Sequence, residues 1–250
     1  NGSVWHDPDN WDNGVPGLIS TGLDTVIIGA NQNVELTGEP PPQSPTQPGD
    51  HWIARIECHG SLRITGGSLT VNGPSEVASF MLGSTLSGTG PVHVTEAMDW
   101  AEGAIHGTVI IDPLASLVIR DNHAKTLYGR LVIDGTGTIR AAGVVDGALH
   151  TTGVATVRGV LEGAGTLINQ GQLLLVNGSV GVPLANEGLL RVQGTTNGTI
   201  VGPFTNKVGG TLHLESERVG QSDRNAWLTI DQGFVNEGVV HLVSSTGGLS

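Results

Sequence analysis

Short runs of alternating apolar and polar residues, closed by Gly or Asn, fill this chain. Examples are Thr25-Val26-Ile27-Ile28, Gly60-Ser61-Leu62-Arg63-Ile64-Thr65, Thr108-Val109-Ile110-Ile111 and Ala155-Thr156-Val157-Arg158. A period of two sends successive side chains to opposite faces of a strand. No sustained 3.6-residue apolar stripe accompanies it, so the pattern predicts an all-β protein. A longer unit recurs four times in the second half: an apolar residue, a spacer, Asn and Gly, then an alternating strand. It reads Leu167-Ile168-Asn169-Gln170-Gly171, Leu184-Ala185-Asn186-Glu187-Gly188, Phe204-Thr205-Asn206 with Gly209-Gly210, and Phe234-Val235-Asn236-Glu237-Gly238. Recurrence of one strand–corner–strand unit is the signature of a β-solenoid.

The Asn positions set the rung. The intervals are 17 residues from Asn169 to Asn186, 20 from Asn186 to Asn206 and 30 from Asn206 to Asn236. The longest contains the polar stretch Ser216 to Asn225, read as a loop insertion. Rungs of about 17–20 residues fit a single-stranded parallel β-helix with two or three strands per turn. Asn and Gly tolerate the left-handed φ that a tight corner asks for. Stacked carboxamides also bond one another, as in cross-β ladders. Asn169, Asn186, Asn206 and Asn236 are therefore expected as a structural ladder rather than a ligand-binding row.

Composition sharpens this picture. Glycine supplies 39 of 250 residues and charged residues only 14%, far from a helical balance. The net charge of −12 with 11 Lys and Arg disfavours nucleic acid and anionic lipid, which need a basic face. The arginines read as scattered. The single Cys58, between Ile56 and Leu62, reads as a small buried hydrophobe and allows no internal disulfide. No apolar run approaches the roughly 18 residues of a membrane span, so no insertion is expected in this segment. The start at Asn1 reads as that of a mature or excised segment.

Three parts are expected: a capping module over 1–38, a Pro-rich loop insertion over 39–50, and continuous β-helix rungs over 51–250. Five prolines in the insertion withdraw five amide donors from any ladder. The last repeat runs almost to Ser250, and an uncovered rung offers unpaired backbone groups. Continuation of the chain or end-to-end stacking of subunits is therefore expected.

Two resemblances follow from particular residues. Trp5, Asp7, Pro8, Asn10, Trp11, Gly14, Pro16, Asp24-Thr25-Val26 and Gly60-Ser61-Leu62 resemble the start of a G8-type module, over roughly residues 4–72. Residues 92–250 resemble the repeats of secreted bacterial parallel β-helices of the autotransporter and haemagglutinin kind. Met98-Asp99-Trp100 through Gly107-Thr108, Lys125-Thr126-Leu127-Tyr128-Gly129-Arg130 and Gly163-Ala164-Gly165-Thr166-Leu167 carry it. This resemblance implies a right-handed coil in an extracellular or cell-surface protein. It carries over no catalytic residues.

Candidate chemistry is sparse. Asp7, Asp9 and Asp12, with Asn10 and Asn13, offer oxygens suited to Ca²⁺; the same residues also serve as turn formers at the first rung. The histidines lack zinc spacing, although His213 and His241 share a rung register. Trp5 and Trp11 are expected as an N-terminal cap, and Trp100, on the strand face of Met98, as core. Trp52 and Trp227 flank the two polar insertions and are the candidates for exposed sugar-stacking platforms. Glycoside hydrolysis needs two carboxylates across one bond, and no compact Asp/Glu constellation stands out. Lys is limited to Lys125 and Lys207, too few to point to a lyase base. Thr136-Gly137-Thr138, the only Thr-x-Thr triplet near a strand, is too little for an ice-binding row. The expected function is a non-catalytic stalk, adhesive rod or assembly module. Its expected partners are other copies, further solenoid segments or extracellular glycans. The alternative is a carbohydrate-active β-helix that binds or cleaves an extracellular polysaccharide.

Overall fold

The computed structural model describes residues 3–12, 15–16, 24–38, 50–120, 123, 125–140, 143–219 and 222–245. Strands make up 62% of the chain and stack in parallel as a β-solenoid. Each complete rung contributes one strand to each of three faces. A representative rung runs through Arg130–Ile133 on the first face, Thr136–Ile139 on the second and Gly143–Val145 on the third. The next rung places Ala148–Thr151, Val154–Val157 and Val160–Glu162 above these. The third face alone is an uninterrupted sheet of ten strands. In earlier rungs one long strand, such as Arg55–Ile64 or Pro91–Trp100, bends around the corner between the first two faces.

Rung length follows the pairing register. Leu131 pairs Leu149, 18 residues on, and Leu149 pairs Leu167, again 18. Val109 pairs Leu131 after 22, and Phe204 pairs Phe234 after 30. The surplus in that last rung is not a plain loop, as the polar stretch at 216–225 suggested. The strand Thr211–Val219 runs straight out of the rung and pairs antiparallel with Ser222–Arg224. Alternation continues through Leu212-His213-Leu214-Glu215, so nothing in the sequence stops the strand at the corner. The Pro-rich stretch at 39–49 lies outside the described residues.

The strict alternation fills the lumen. Leu62 and Ile64, Phe80 and Leu82, Met98 and Trp100, Leu117 and Ile119, and Leu173 and Leu175 all point inward from the second face and are buried. Cys58 is buried in the same core, and burial pushes its thiol pKa up, which suits a packing role. At the N-terminal end Trp5 is wholly buried. Its ring meets Trp11 edge-on at 5.3 Å and His51 at 5.7 Å. Its Nε1 donates to the Pro16 carbonyl at 3.2 Å, and Trp11 Nε1 donates to the Trp5 carbonyl at 2.8 Å. The paired tryptophans thus close the first rung. Among the described residues no helix is long and apolar enough to cross a membrane.

Backbone stacking, not φ, explains most corner glycines. A Cβ at Gly147 would lie 1.9 Å from the Gly129 carbonyl oxygen one rung below. The same conflict recurs at Gly153, Gly171 and Gly188, at 2.1 or 2.2 Å from the oxygen below. None of these four has positive φ. At Gly143 a Cβ would find, among the described residues, only a Leu161 methyl at 3.9 Å. Gly147→Ala should therefore destabilise by about 2 kcal/mol, because the rungs must part. Gly143→Ala should stay within about 0.5 kcal/mol of the parent. Denaturant melts of both variants check this; equal midpoints would refute the stacking account.

Candidate functional site

Asn169, Asn186, Asn206 and Asn236 each end a strand on the first face and stand directly above one another. Their side chains point into the lumen, and the first three are completely buried. Asn169 Nδ2 donates to Asn186 Oδ1 at 2.6 Å, Asn186 to Asn206 at 2.7 Å and Asn206 to Asn236 at 2.7 Å. The second amide proton of each of these three goes to a backbone carbonyl of the rung above: Leu189, Thr211 and Val239, each at 3.1 Å. Thr151 Oγ1 starts the series by donating to Asn169 Oδ1 at 2.7 Å. No ladder Asn has positive φ; among the described residues the non-glycine positions with that geometry are Asn31 and Asn177. The corner-φ argument for these asparagines is thus corrected: they are there for their inward carboxamides. The inner stack they join is aliphatic lower down, where Val94, Ile111 and Ile133 occupy the same column below Thr151.

The Trp candidates do not meet. Trp52 and Trp227 are both exposed on the third face. They sit on its first and last strands, nine strand spacings or roughly 43 Å apart. Asp7 Oδ1 accepts the Asp9 amide at 3.0 Å around the short 3₁₀ turn Pro8–Asn10, and Asn10 Nδ2 donates to the Val4 carbonyl at 3.0 Å. Asp9 and Asp12 are exposed. Asn13 lies outside the described residues. Among the described residues, no group of three or more His, Cys, Asp or Glu could hold a metal ion. His213 and His241 are register partners with rings stacked at 6.2 Å. His213 Nε2 lies 3.5 Å from Glu215, whose carboxylate is held at 2.5 Å by Arg191. That guanidinium pulls the Glu215 pKa down, with a smaller contribution from His213. Lys125 is buried on the third face, its Nζ donating to the His123 carbonyl at 2.6 Å.

Two features escape the sequence reading. The first is a buried histidine pair under the N-terminal cap. His6 Nε2 and His51 Nε2 are 2.9 Å apart, and His51 Nδ1 lies 2.9 Å from the Pro16 carbonyl. A carbonyl accepts, so His51 carries its proton on Nδ1 and His51 Nε2 accepts from His6 Nε2–H. The second is a groove of about 980 Å³ on the outer side of the second face. Its floor is the column of small residues Ser61, Ser79, Ala97 and Ser116, stacked rung on rung. Arg63, Asp99, Arg120 and Arg140 also line it. Asp99 is bound by Arg120, whose Nε lies 2.7 Å from Oδ1, and this pairing raises the arginine pKa further. A second hollow of about 360 Å³ lies beyond the corner, lined by Arg158, Asn177 and Asn197 among others. The arginines that read as scattered are aligned here. Their spacing, 20 residues from Arg120 to Arg140 and 18 from Arg140 to Arg158, is the rung period itself, a signal the sequence already held. Comparison with family models, with curated proteins and with solved structures returns no match.

Truncating a middle ladder residue leaves buried polar groups on both neighbouring rungs without their partner. Asn186→Ala should cost about 3 kcal/mol, and Asn236→Ala, at the exposed end, under about 1 kcal/mol. Denaturant midpoints of the two variants test the gradient, and equal losses would contradict it. The histidine pair adds a pH dependence. Burial, helped by the neighbouring His6, holds the His51 pKa below its ordinary value of 6.5, against an opposing pull from the Pro16 carbonyl. The unfolded chain therefore takes up the proton first. The pair's contribution is present above about pH 6.5 and is lost as the pH falls below it. The Tm should drop from pH 7.5 to pH 5, and by less in His51→Gln. An unchanged acid slope in that variant would remove the histidine pair as the cause.

Proposed function

We propose that this chain is a non-catalytic structural segment of an extracellular or cell-surface protein, a stalk or adhesive rod that extends by pairing with further rungs or with a second copy. The observation that carries this reading is the difference between the two ends of the stack. The first rung is covered by Trp5 and Trp11. The last described rung presents its inner side chains to solvent: Phe234 is 42% and Val240 39% exposed, whereas their partners below, Phe204 and Leu212, are 1% and 3% exposed, and Leu242 is 75% exposed above the partly buried Leu214. Burying such a surface against another rung gains apolar contact and satisfies a parallel edge together. Resemblance to the repeats of secreted bacterial β-helices and to a G8-type opening supports the surface location. The groove supports a non-catalytic role, since the carboxylate in its lining, Asp99, is engaged by Arg120.

The test is association. Sedimentation velocity should show concentration-dependent assembly, and Leu242→Lys should abolish it while leaving the far-ultraviolet spectrum unchanged. A strictly monomeric parent chain would overturn the end-pairing reading. Release of reducing sugar from a polysaccharide would overturn the non-catalytic one.

A further inference from the structure

Arg120, Arg140 and Arg158 each follow a second-face strand and occupy one corner position on three successive rungs. Their amides donate to Trp100, Ile119 and Ile139 carbonyls of the rung below at 3.1, 3.0 and 2.7 Å. All three side chains are exposed. They bring three guanidinium groups to successive rungs spaced about 4.8 Å apart, in a chain of net charge −12 with 11 Lys and Arg. Like charges in register repel. Only Arg120 is neutralised, by Asp99; among the described residues Arg140, Arg158 and Arg63 form no ion pair. Two carboxylates near the groove bond hydroxyls rather than these arginines, and Asp121, which follows Arg120, lies outside the described residues. Glu35 accepts from Thr65 at 2.8 Å and Glu96 from Ser79 at 3.4 Å.

The fold does not require arginine there. The equivalent corner residues one rung below and one rung above the series are Ala101 and Val176, whose amides make the same bond to Leu82 and Val157. A repulsive row that the architecture can do without points to an external partner. We propose that this corner and the groove beside it bind an acidic polysaccharide, with the arginines pairing carboxylates or sulfates and the floor hydroxyl oxygens of Ser61, Ser79 and Ser116 accepting from sugar hydroxyls, since Ser61 and Ser79 already donate to Asn33 and Glu96. Guanidinium forks suit planar or multi-oxygen anions. A row that repeats with the rung asks for an anion that repeats along a polymer. Single-stranded nucleic acid is the weaker fit. It wants aromatic platforms as well as charge, and the one aromatic residue lining the groove, Phe80, is turned into the core at 3% exposure. The inference does not depend on the rod reading, because it uses the side of the stack and not its ends.

The test uses the full chain and four probes: polygalacturonate, dextran sulfate, neutral dextran and a single-stranded oligonucleotide. In affinity electrophoresis and calorimetry, one or both acidic polysaccharides should bind, neutral dextran should not, and added salt should weaken the complex. Preference between the two acidic probes identifies carboxylate or sulfate as the partner group. Arg140→Gln with Arg158→Gln should weaken binding at least tenfold, while Arg130→Gln on the first face should leave it unchanged. Circular dichroism checks that each variant folds, and Arg158→Gln alone, at an exposed position, should lower affinity measurably. Absence of binding to both acidic polysaccharides, or binding indifferent to the arginine variants, would refute the proposal. Tighter binding of the oligonucleotide than of either polysaccharide would replace it with a nucleic-acid site. None of these outcomes bears on end-to-end assembly.

Discussion

Every part of this molecule answers to one constraint: each rung must lie flat on the one beneath it. Parallel strands at about 4.8 Å leave no room for a side chain wherever the chain turns over a carbonyl below. Gly147 over Gly129 and Gly188 over Gly171 are among the sites where that limit is reached. Once the corners are thin enough to stack, the alternation of each strand does the rest. Inward positions form continuous columns, and outward positions form rows that run from rung to rung.

These columns explain why like residues accumulate. An inward aliphatic residue is best covered by another, and Val94, Ile111 and Ile133 follow that rule. A buried amide is costly alone and satisfied among its own kind. The switch at Thr151 is therefore cooperative: once one polar group enters the column, the residues above it provide partners of the same type. Outside, no such rule applies, because water satisfies whatever stands there. An outward row of like charge is accordingly a different kind of observation from an inward row of like amides.

Much of the architecture was legible in the sequence because the rung writes itself into spacing. The Asn intervals and the two-residue alternation mark the strands, the rung length and the polar ladder. The physical reason for the asparagines was not legible. Left-handed φ and an inward carboxamide both favour Asn, and only the folded chain separates them. The hairpin at 211–224 was hidden because a polar alternating strand and a polar loop share a composition. The histidine pair was hidden for another reason: His6 and His51 are 45 residues apart and meet only when the cap folds over the first rungs. The arginine row was legible in principle, since its spacing equals the rung period, but it emerges only when charged residues are read with the register rather than by count.

The asparagine ladder has a direction. From Thr151 to Asn236 every side-chain donor belongs to the lower rung and every acceptor to the upper one. Bonds aligned in this way polarise one another, so the column is a small wire of parallel dipoles within an apolar sleeve. Its terminal group, Asn236, directs one amide proton toward the Gly238 carbonyl at 3.3 Å and can offer the other onward. A rung seated on that end is matched when it places an oxygen acceptor in this column, and mismatched when it places an aliphatic chain there. The lumen thereby gives the stack a polarity and a password: any rung added at this end would be matched only by a carboxamide, carboxylate or hydroxyl in a single inward position, whatever the outer surface displays.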